Sequence, residues 1–267
     1  AQRWLDWLRA QPGVSDAEAA GSLRRWKTTI GDLDLVAVAS DPTTVMEAFT
    51  THPDVRAVLG SGANKSSIEM KNGVKVQLWI QPAENWGSLL LFVTGSKDHN
   101  VRIRELAQKQ GLSLSERGFL REDGSEQACA TEEEVYTTLG MQWMPPEMRE
   151  DRGEVAAAKA KKLPNLIRLE DHHADLHTHT TWSDGTASVE EMARAGLARG
   201  HRVYAITDHS AGLGVTNGLN PERLRQQRDE IDAVQKKLGN AILLLQGSEV
   251  EIHADGHLEF SDEVLAS

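Results

Sequence analysis

The chain has 267 residues, of which 39% are hydrophobic and 26% charged, and its formal net charge is −11. That composition suits a soluble protein of one or two domains and argues against a basic coat for nucleic acid, although a local basic groove remains compatible with it. No apolar run approaches the roughly 20 residues of a membrane span, and no signal peptide is evident. The lone cysteine, Cys129, has no partner for an internal disulfide, which points to a reducing cytoplasmic setting. The chain starts at Ala1 without a methionine and stops on DEVLAS, so it reads as a piece of a longer protein.

Residues 1–20 predict a helix, QRWLDWLRA, then a QPG breaker and a connection. A Gly-Ser turn follows at Gly21-Ser22, then a helical or loop run, a strand around Leu33 to Val38, and a helix near TTVMEAFTTH. SSIEMKNGVKVQLWI reads as a hairpin, with Asn72-Gly73 suggesting a type I′ turn between two alternating runs. The apolar runs LLLFV and AILLL are strand-sized. Residues 88–150 mix turns with helical segments such as HNVRIRELAQKQG and TEEEVYTTLG, ending near Pro145-Pro146. An Ala/Lys-rich charged helix and linker occupy 151–171. From His173 onward strands and helices alternate (HADLHTH, SVEEMARAGLARG, VYAITDH, ERLRQQRDEIDAVQKKLG, AILLLQGSEVEI), which implies βαβ units on a parallel sheet. Eight of the ten histidines lie at or beyond His172, so the two parts of the chain carry different chemistry.

In GSLRRWKTTIGDLDLV, Asp32 and Asp34 alternate with Leu33 and Leu35. On a strand both carboxylates share one face, where they repel unless a cation lies between them. Gly21-Ser22 offers backbone N–H groups and a hydroxyl for a phosphate, and Arg25 offers a guanidinium fork. Such a set suits a nucleoside triphosphate with Mg²⁺, which favours a few carboxylates plus substrate phosphates. A solvent-facing strand with acidic decoration fits the D-x-D equally well. In TGSKDHN, a helix cap by Ser or Asp is the plain expectation.

The second cluster lies at predicted strand ends. His177 and His179 alternate on one strand, with Asp184 in the loop after it. Asp208 and His209 end the next strand and Glu249 the third. Functional groups collect at the C-terminal ends of parallel strands, so these ends together describe a metal cluster. His253 and His257 read as loop residues.

The stretches GSLRR, GDLDLV, LGSGANKSSI, FVTGSKDHN and GMQWMPPEMREDRGE, in that order, resemble the family X DNA polymerases of the nucleotidyltransferase superfamily. The C-terminal part resembles the PHP domain, which follows the thumb in the bacterial members. The resemblance implies an α/β chain: an α+β palm with a preceding helix over 1–87, a thumb over 88–150, a linker over 151–172, and the first part of a distorted β/α barrel over 173–267. It implies DNA polymerase activity in DNA repair, joined to a 3′→5′ exonuclease of the PHP phosphoesterase type. Asp32 and Asp34 would be catalytic metal ligands for Mg²⁺ or Mn²⁺. Gly21, Ser22, Arg25, Gly31, Gly95, Ser96, Lys97 and Asn100 would surround the nucleotide. His177, His179, Asp184, His209 and Glu249 would hold Zn²⁺, Mn²⁺ or Fe, although the family's later ligands fall beyond Ser267. The partners would be dNTP and DNA primer ends or gaps, with Lys65 in the same groove.

The family's third palm carboxylate, however, aligns with Gln77, and its usual arginine with Trp79. Asn64 stands where threonine is common, and Phe92-Val93 replaces a Tyr-Phe pair. A glutamine can be neither an anionic ligand nor a proton acceptor at neutral pH. The expectation is therefore weak extension with nucleotide binding retained, or a palm that only binds nucleotide or DNA while the PHP part does the chemistry. Glu69, across the hairpin, is the one nearby carboxylate that could substitute.

Overall fold

The computed structural model describes residues 1–212 and 214–266, and the chain divides into two compact units, Ala1–Pro164 and Asn165–Ser267. No helix among the described residues is long and apolar enough to cross a membrane.

The first unit opens with α1 (Gln2–Arg9), whose Trp4, Leu5 and Leu8 recur at helical spacing and are buried. The segment expected to be a connection instead forms a strand, β1 (Val14–Ala19). It is an edge strand with only Ala17 buried, so VSDAEA carries little alternating hydrophobicity to announce it. A short helical turn, α2 (Gly21–Arg24), leads to β2 (Asp32–Ala39), and Asp41 then caps α3 (Pro42–Thr50) by accepting from the Thr43 and Thr44 amides. The strands β3 (Val55–Gly60), β4 (Lys65–Met70) and β5 (Lys75–Gln81) complete a five-stranded sheet of order β1-β2-β5-β4-β3. Its core is Leu33, Leu35, Phe49, Ile68, Leu78 and Ile80 with the inner face of α1.

The β4–β5 hairpin forms as predicted, but its turn is not type I′. Gly73 alone takes a positive φ, of 84°, and its N–H donates to the Met70 carbonyl at 2.9 Å. A type I turn followed by a left-handed glycine accounts for both facts.

LLLFV is not a strand. It lies in α4 (Trp86–Thr94), where Leu89, Leu90 and Leu91 are all buried. An apolar run covered on every side carries no period to separate helix from strand. Gly87 lets α4 press against the distant backbone at Thr131, since a Cβ there would lie 2.0 Å from the Thr131 carbonyl carbon. Beyond it, α5 (Lys97–Gln108) is capped by Ser96, whose hydroxyl accepts from the His99 amide. Three short strands, β6 (Leu112–Ser115), β7 (Gly118–Arg121) and β8 (Glu126–Gln127), form a small antiparallel sheet that the sequence did not announce. Helix α6 (Glu132–Thr138) begins with a capping box between Thr131 and Glu134. The Ala/Lys-rich stretch yields only α7 (Glu154–Lys159).

Two buried polar networks join these elements. Glu132, at the start of α6, takes both guanidinium nitrogens of Arg24 (2.8 and 3.0 Å) and accepts from Arg149 at 2.9 Å and from the Trp143 indole at 3.1 Å. Arg149 is fully buried and also donates to the Met144 carbonyl at 2.8 Å. Beside it, His99 contacts Glu154 through Nδ1 at 2.8 Å and Tyr136 Oη through Nε2 at 3.0 Å. Burial pulls the His99 pKa down against the pull of Glu154. The ring is therefore neutral, with Nδ1–H donating to Glu154 and Nε2 accepting from the tyrosine.

The second unit is a βαβαβ arrangement, as the alternation predicts. Strand β9 (Ala174–Thr178), helix α8 (Val189–Ala198), strand β10 (Val203–Ile206), helix α9 (Pro221–Leu238) and strand β11 (Leu243–Gln246) give a parallel sheet of order β11-β10-β9. Ser188 and Asn220 cap the two helices. The helices pack Val189, Ala193, Ile231 and Val234 onto Tyr204, Ile206 and Leu244. A short α10 (Asp262–Leu265) follows.

Candidate functional site

In the first unit, β2 projects Asp32 and Asp34 from one face while Leu33 and Leu35 are buried on the other. The parallel pairing of β2 with β5 sets Asp34 opposite Gln77, whose Nε2 donates to Asp32 Oδ2 at 3.2 Å. Gly21 takes φ +59°, and a Cβ there would lie 2.0 Å from Asp34 Oδ2. Only glycine lets the backbone come that close to the carboxylate. Burial, and then the Asp32 charge, push the Asp34 carboxyl up to about 6, with Lys65 and Arg25 partly offsetting them. A half-buried carboxylate facing a like charge is short of a cation, and this donor set suits a hard divalent ion.

A cleft of about 430 Å³ opens here, with Ser22, Asp32 and Asp34 among its lining and Gly95, Lys97 and Asn100 across from them. Phe92, Val93 and Arg104 also line it. Arg104 went unnoticed in the sequence because it follows Asn100 by one helical turn in a segment with no motif of its own. Two residues assigned to the nucleotide are not among the lining. Ser96 is spent on capping α5, and Gly31 is exposed with nothing within 4 Å of its Cβ position. Arg25 does line the cleft, with its Nε paired with Glu150 at 2.9 Å and its Nη1 donating to the Thr94 carbonyl. Glu69 does not stand in for a third carboxylate, since it pairs with Arg56 of the neighbouring strand at 3.1 Å. Trp79 packs edge-on against Phe92 and lies under the Lys65 ammonium at 4.1 Å.

In the second unit, His177 on β9 and His179 just past its end stack their imidazoles at 5.3 Å and 18°. The bridge between His209 and Glu249 continues the sheet past β10 and β11 and brings those residues beside them. Glu249 Oε2 lies 3.1 Å from His177 Nε2, 3.1 Å from His179 Nε2 and 3.6 Å from His209 Nδ1. Asp184 reaches His179 Nδ1 at 2.9 Å and His209 Nε2 at 3.5 Å. The His177 hydrogen bond holds the Glu249 carboxyl below its usual range, and the His179 hydrogen bond does the same for Asp184. Two overlapping sets of potential ligands result, His177–His179–Glu249 and His179–Asp184–His209. Buried His209 Nδ1 has no hydrogen-bond partner, which a metal would satisfy. Imidazoles and carboxylates in this mixture fit a borderline ion such as Zn²⁺, Mn²⁺ or Fe²⁺.

Asp208 has a different task. It is buried and accepts from the Thr180 amide and hydroxyl at 2.7 Å each, from the Ser183 amide at 3.2 Å and from Gln227 Nε2 at 2.6 Å. It thereby fixes the loop that carries Asp184. A larger cavity of about 760 Å³ in this unit, lined in part by Leu224, Arg228 and Phe260, includes none of the clustered histidines. His253 and His257 stack on each other at 4.1 Å in a separate loop.

A family model described as the DNA polymerase beta thumb matches residues 89–150, and one described as the PHP domain matches residues 175–266. The chain is also 39% identical over 250 residues to the DNA polymerase/3'-5' exonuclease PolX of Bacillus subtilis (strain 168). That alignment covers 92% of this chain and 43% of the relative, so the chain spans less than half the relative's length. The two family models thus place a polymerase beta thumb followed by a PHP domain along this chain, in the same 250-residue stretch that is similar to PolX.

Proposed function

We propose that the protein processes DNA ends, binding a dNTP with a divalent metal on the palm and hydrolysing 3′ phosphoester bonds in the PHP domain, in the cytoplasm of a bacterial cell. The observation that carries the second half is the single Glu249 oxygen within 3.1–3.6 Å of three imidazoles, an arrangement that suits a bound metal. A bound divalent ion would supply a hydroxide nucleophile at neutral pH and neutralise the phosphate. The chain's part is to hold His177, His179, Asp184, His209 and Glu249 in place, with Asp208 fixing the loop beneath them. The test is hydrolysis of a 3′-labelled single-stranded oligonucleotide by the full-length protein with Mn²⁺. His177→Ala with His209→Ala should lower metal content and reduce the rate at least about 100-fold, in line with the loss of metal-activated water. Unchanged hydrolysis in that double variant would reject the assignment.

In the palm, Gly21 and Ser22 would meet the triphosphate, Asp32 and Asp34 its metal, and Lys97 and Asn100 the rest of the nucleotide. The hydrogen bond from Gln77 to Asp32 favours a palm that binds more readily than it catalyses, because an amide sits where a third carboxylate would ligate the ion that activates the primer hydroxyl. A polymerase-dead palm serving as a nucleotide or DNA platform is the second form of this proposal.

The raised Asp34 pKa gives a pH dependence with a definite sign. A proton on Asp34 competes with metal, so the apparent affinity for Mg²⁺–dATP should fall about tenfold per pH unit once the pH drops below about 6. Without metal the sign for stability is opposite. The folded pKa lies above the unfolded value of 3.8, so protonating Asp34 adds stability that is present below 3.8 and lost as pH rises through about 6. Calorimetric titration on both sides of pH 6, with thermal melts in EDTA, would check the pair. A flat affinity across that window would show that Asp34 does not ligate.

A further inference from the structure

We infer that Trp26 is a stacking platform for an unpaired base of single-stranded DNA beside the palm cleft, an inference that rests on the nucleic-acid role proposed above. Trp26 is 80% exposed, the most exposed tryptophan in the protein. The other tryptophans are packed or hydrogen-bonded: Trp4 is buried, Trp7 and Trp86 pack against apolar clusters, Trp79 contacts Phe92, and Trp143 and Trp182 donate to Glu132 and Glu230. No ring contact or cation–π pair engages Trp26 among the described residues.

Its backbone is as unusual as its exposure. Trp26 has φ 54°, in the left-handed region that large L side chains rarely adopt. A glycine would meet the local geometry without strain and without an apolar surface in water. An indole kept at such a position points to a use for the ring.

The position is also fixed. The Trp26 amide donates to the Leu23 carbonyl at 3.0 Å, and the Lys27 amide donates to the Ser22 carbonyl at 3.1 Å. The backbone that carries the ring is thus tied to the turn that holds Ser22, which lines the nucleotide cleft, yet Trp26 itself is not part of the lining. The incoming nucleotide therefore does not supply its partner. A strand passing outside the cleft does, and the charges suit one. Lys27, next to Trp26 in the chain, is 39% exposed at its side chain with its ammonium 3.6 Å from Glu150, and Lys97 and Arg104 on the cleft are exposed. An aromatic face with a few cations is the elementary unit of sequence-tolerant single-strand binding. In a chain of net charge −11 such a local group is needed to hold a polyanion at all.

The test uses the full-length protein and fluorescence anisotropy with a short oligothymidylate, alongside an abasic strand of the same length. Trp26→Gly suits the backbone and should fold at least as well as the parent. It should weaken oligothymidylate binding roughly 5- to 100-fold, the usual range for one base–aromatic stack. Trp26→Phe keeps a ring and should stay within about threefold. On the abasic strand, which has the phosphates but no bases, parent and Trp26→Gly should bind alike. If Trp26→Gly binds oligothymidylate like the parent, or loses the abasic strand equally, the stacking role is wrong while the nucleic-acid reading of the palm stands. If the parent binds neither strand, both fall.

Discussion

Glu132→Ala is expected to destabilise the first unit by about 3–5 kcal/mol, the usual result of removing one partner from a buried ion cluster. Glu132 is 4% exposed and Arg149 not at all, so the variant leaves a guanidinium in the interior with the Met144 carbonyl as its remaining hydrogen-bond acceptor, between the Tyr136 and Trp143 rings. Burial by itself would raise the Glu132 pKa. The hydrogen bond and charge of Arg149, joined by Arg24, overcome it and hold the carboxyl at about 2. The sign of the linkage follows. The folded pKa lies below the unfolded value of 4.5, so this contribution is complete above 4.5 and disappears as pH falls through about 2. Urea melts followed by tryptophan fluorescence should show the loss near neutral pH and a smaller difference between parent and variant in acid. A loss under about 1 kcal/mol would mean that the cluster is wet and the charges are screened. The cluster also bears on function, because Arg24 belongs to the same short helix as Gly21 and Ser22. Its grip on Glu132 ties the Gly21-Ser22 turn to α6.

Nothing in the sequence announced that tie. Arg24 and Glu132 are 108 positions apart, and neither lies in a spaced motif of metal ligands or nucleophiles. Local patterns did better. The alternation of Asp32 and Asp34 with buried leucines, the hairpin around Gly73, and the βαβαβ run from His173 are short-range signals that packing did not override. Strand β1 and the small β6–β7–β8 sheet stayed hidden because their strands are short, polar or at an edge, where the two-residue period fades. The histidine cluster was legible because parallel strands deliver their ends to one side, so a topology read from alternation also located His177, His209 and Glu249. Arg25 shows the limit of reading residue types. A guanidinium next to a Gly-Ser turn looks like a phosphate fork, yet it pairs with Glu150, whose position beyond α6 could not be placed from spacing.

Gln77→Asp should raise primer extension by the full-length protein by about 10²–10⁴-fold with Mg²⁺ or Mn²⁺, the range in which a missing proton acceptor is felt. The register of β2 and β5 sets residue 77 opposite Asp34, and its present amide already reaches Asp32 at 3.2 Å. A carboxylate on that strand would join the other two on one face, where Gln77 now only donates a hydrogen bond. The gain carries a cost that itself can be measured. A third negative charge beside an Asp34 already pushed to about 6 raises the repulsion in the empty site, so the variant should melt lower than the parent in EDTA. Metal should restore most of the difference, because binding to the folded state alone adds stability by mass action. Gln77→Glu, which keeps the length of the side chain, separates charge from reach. Rescue by both variants would assign the defect to charge, and rescue by aspartate alone to geometry. If the parent protein extends primers as fast as Gln77→Asp, the amide is no handicap and the palm does not need a carboxylate at that position.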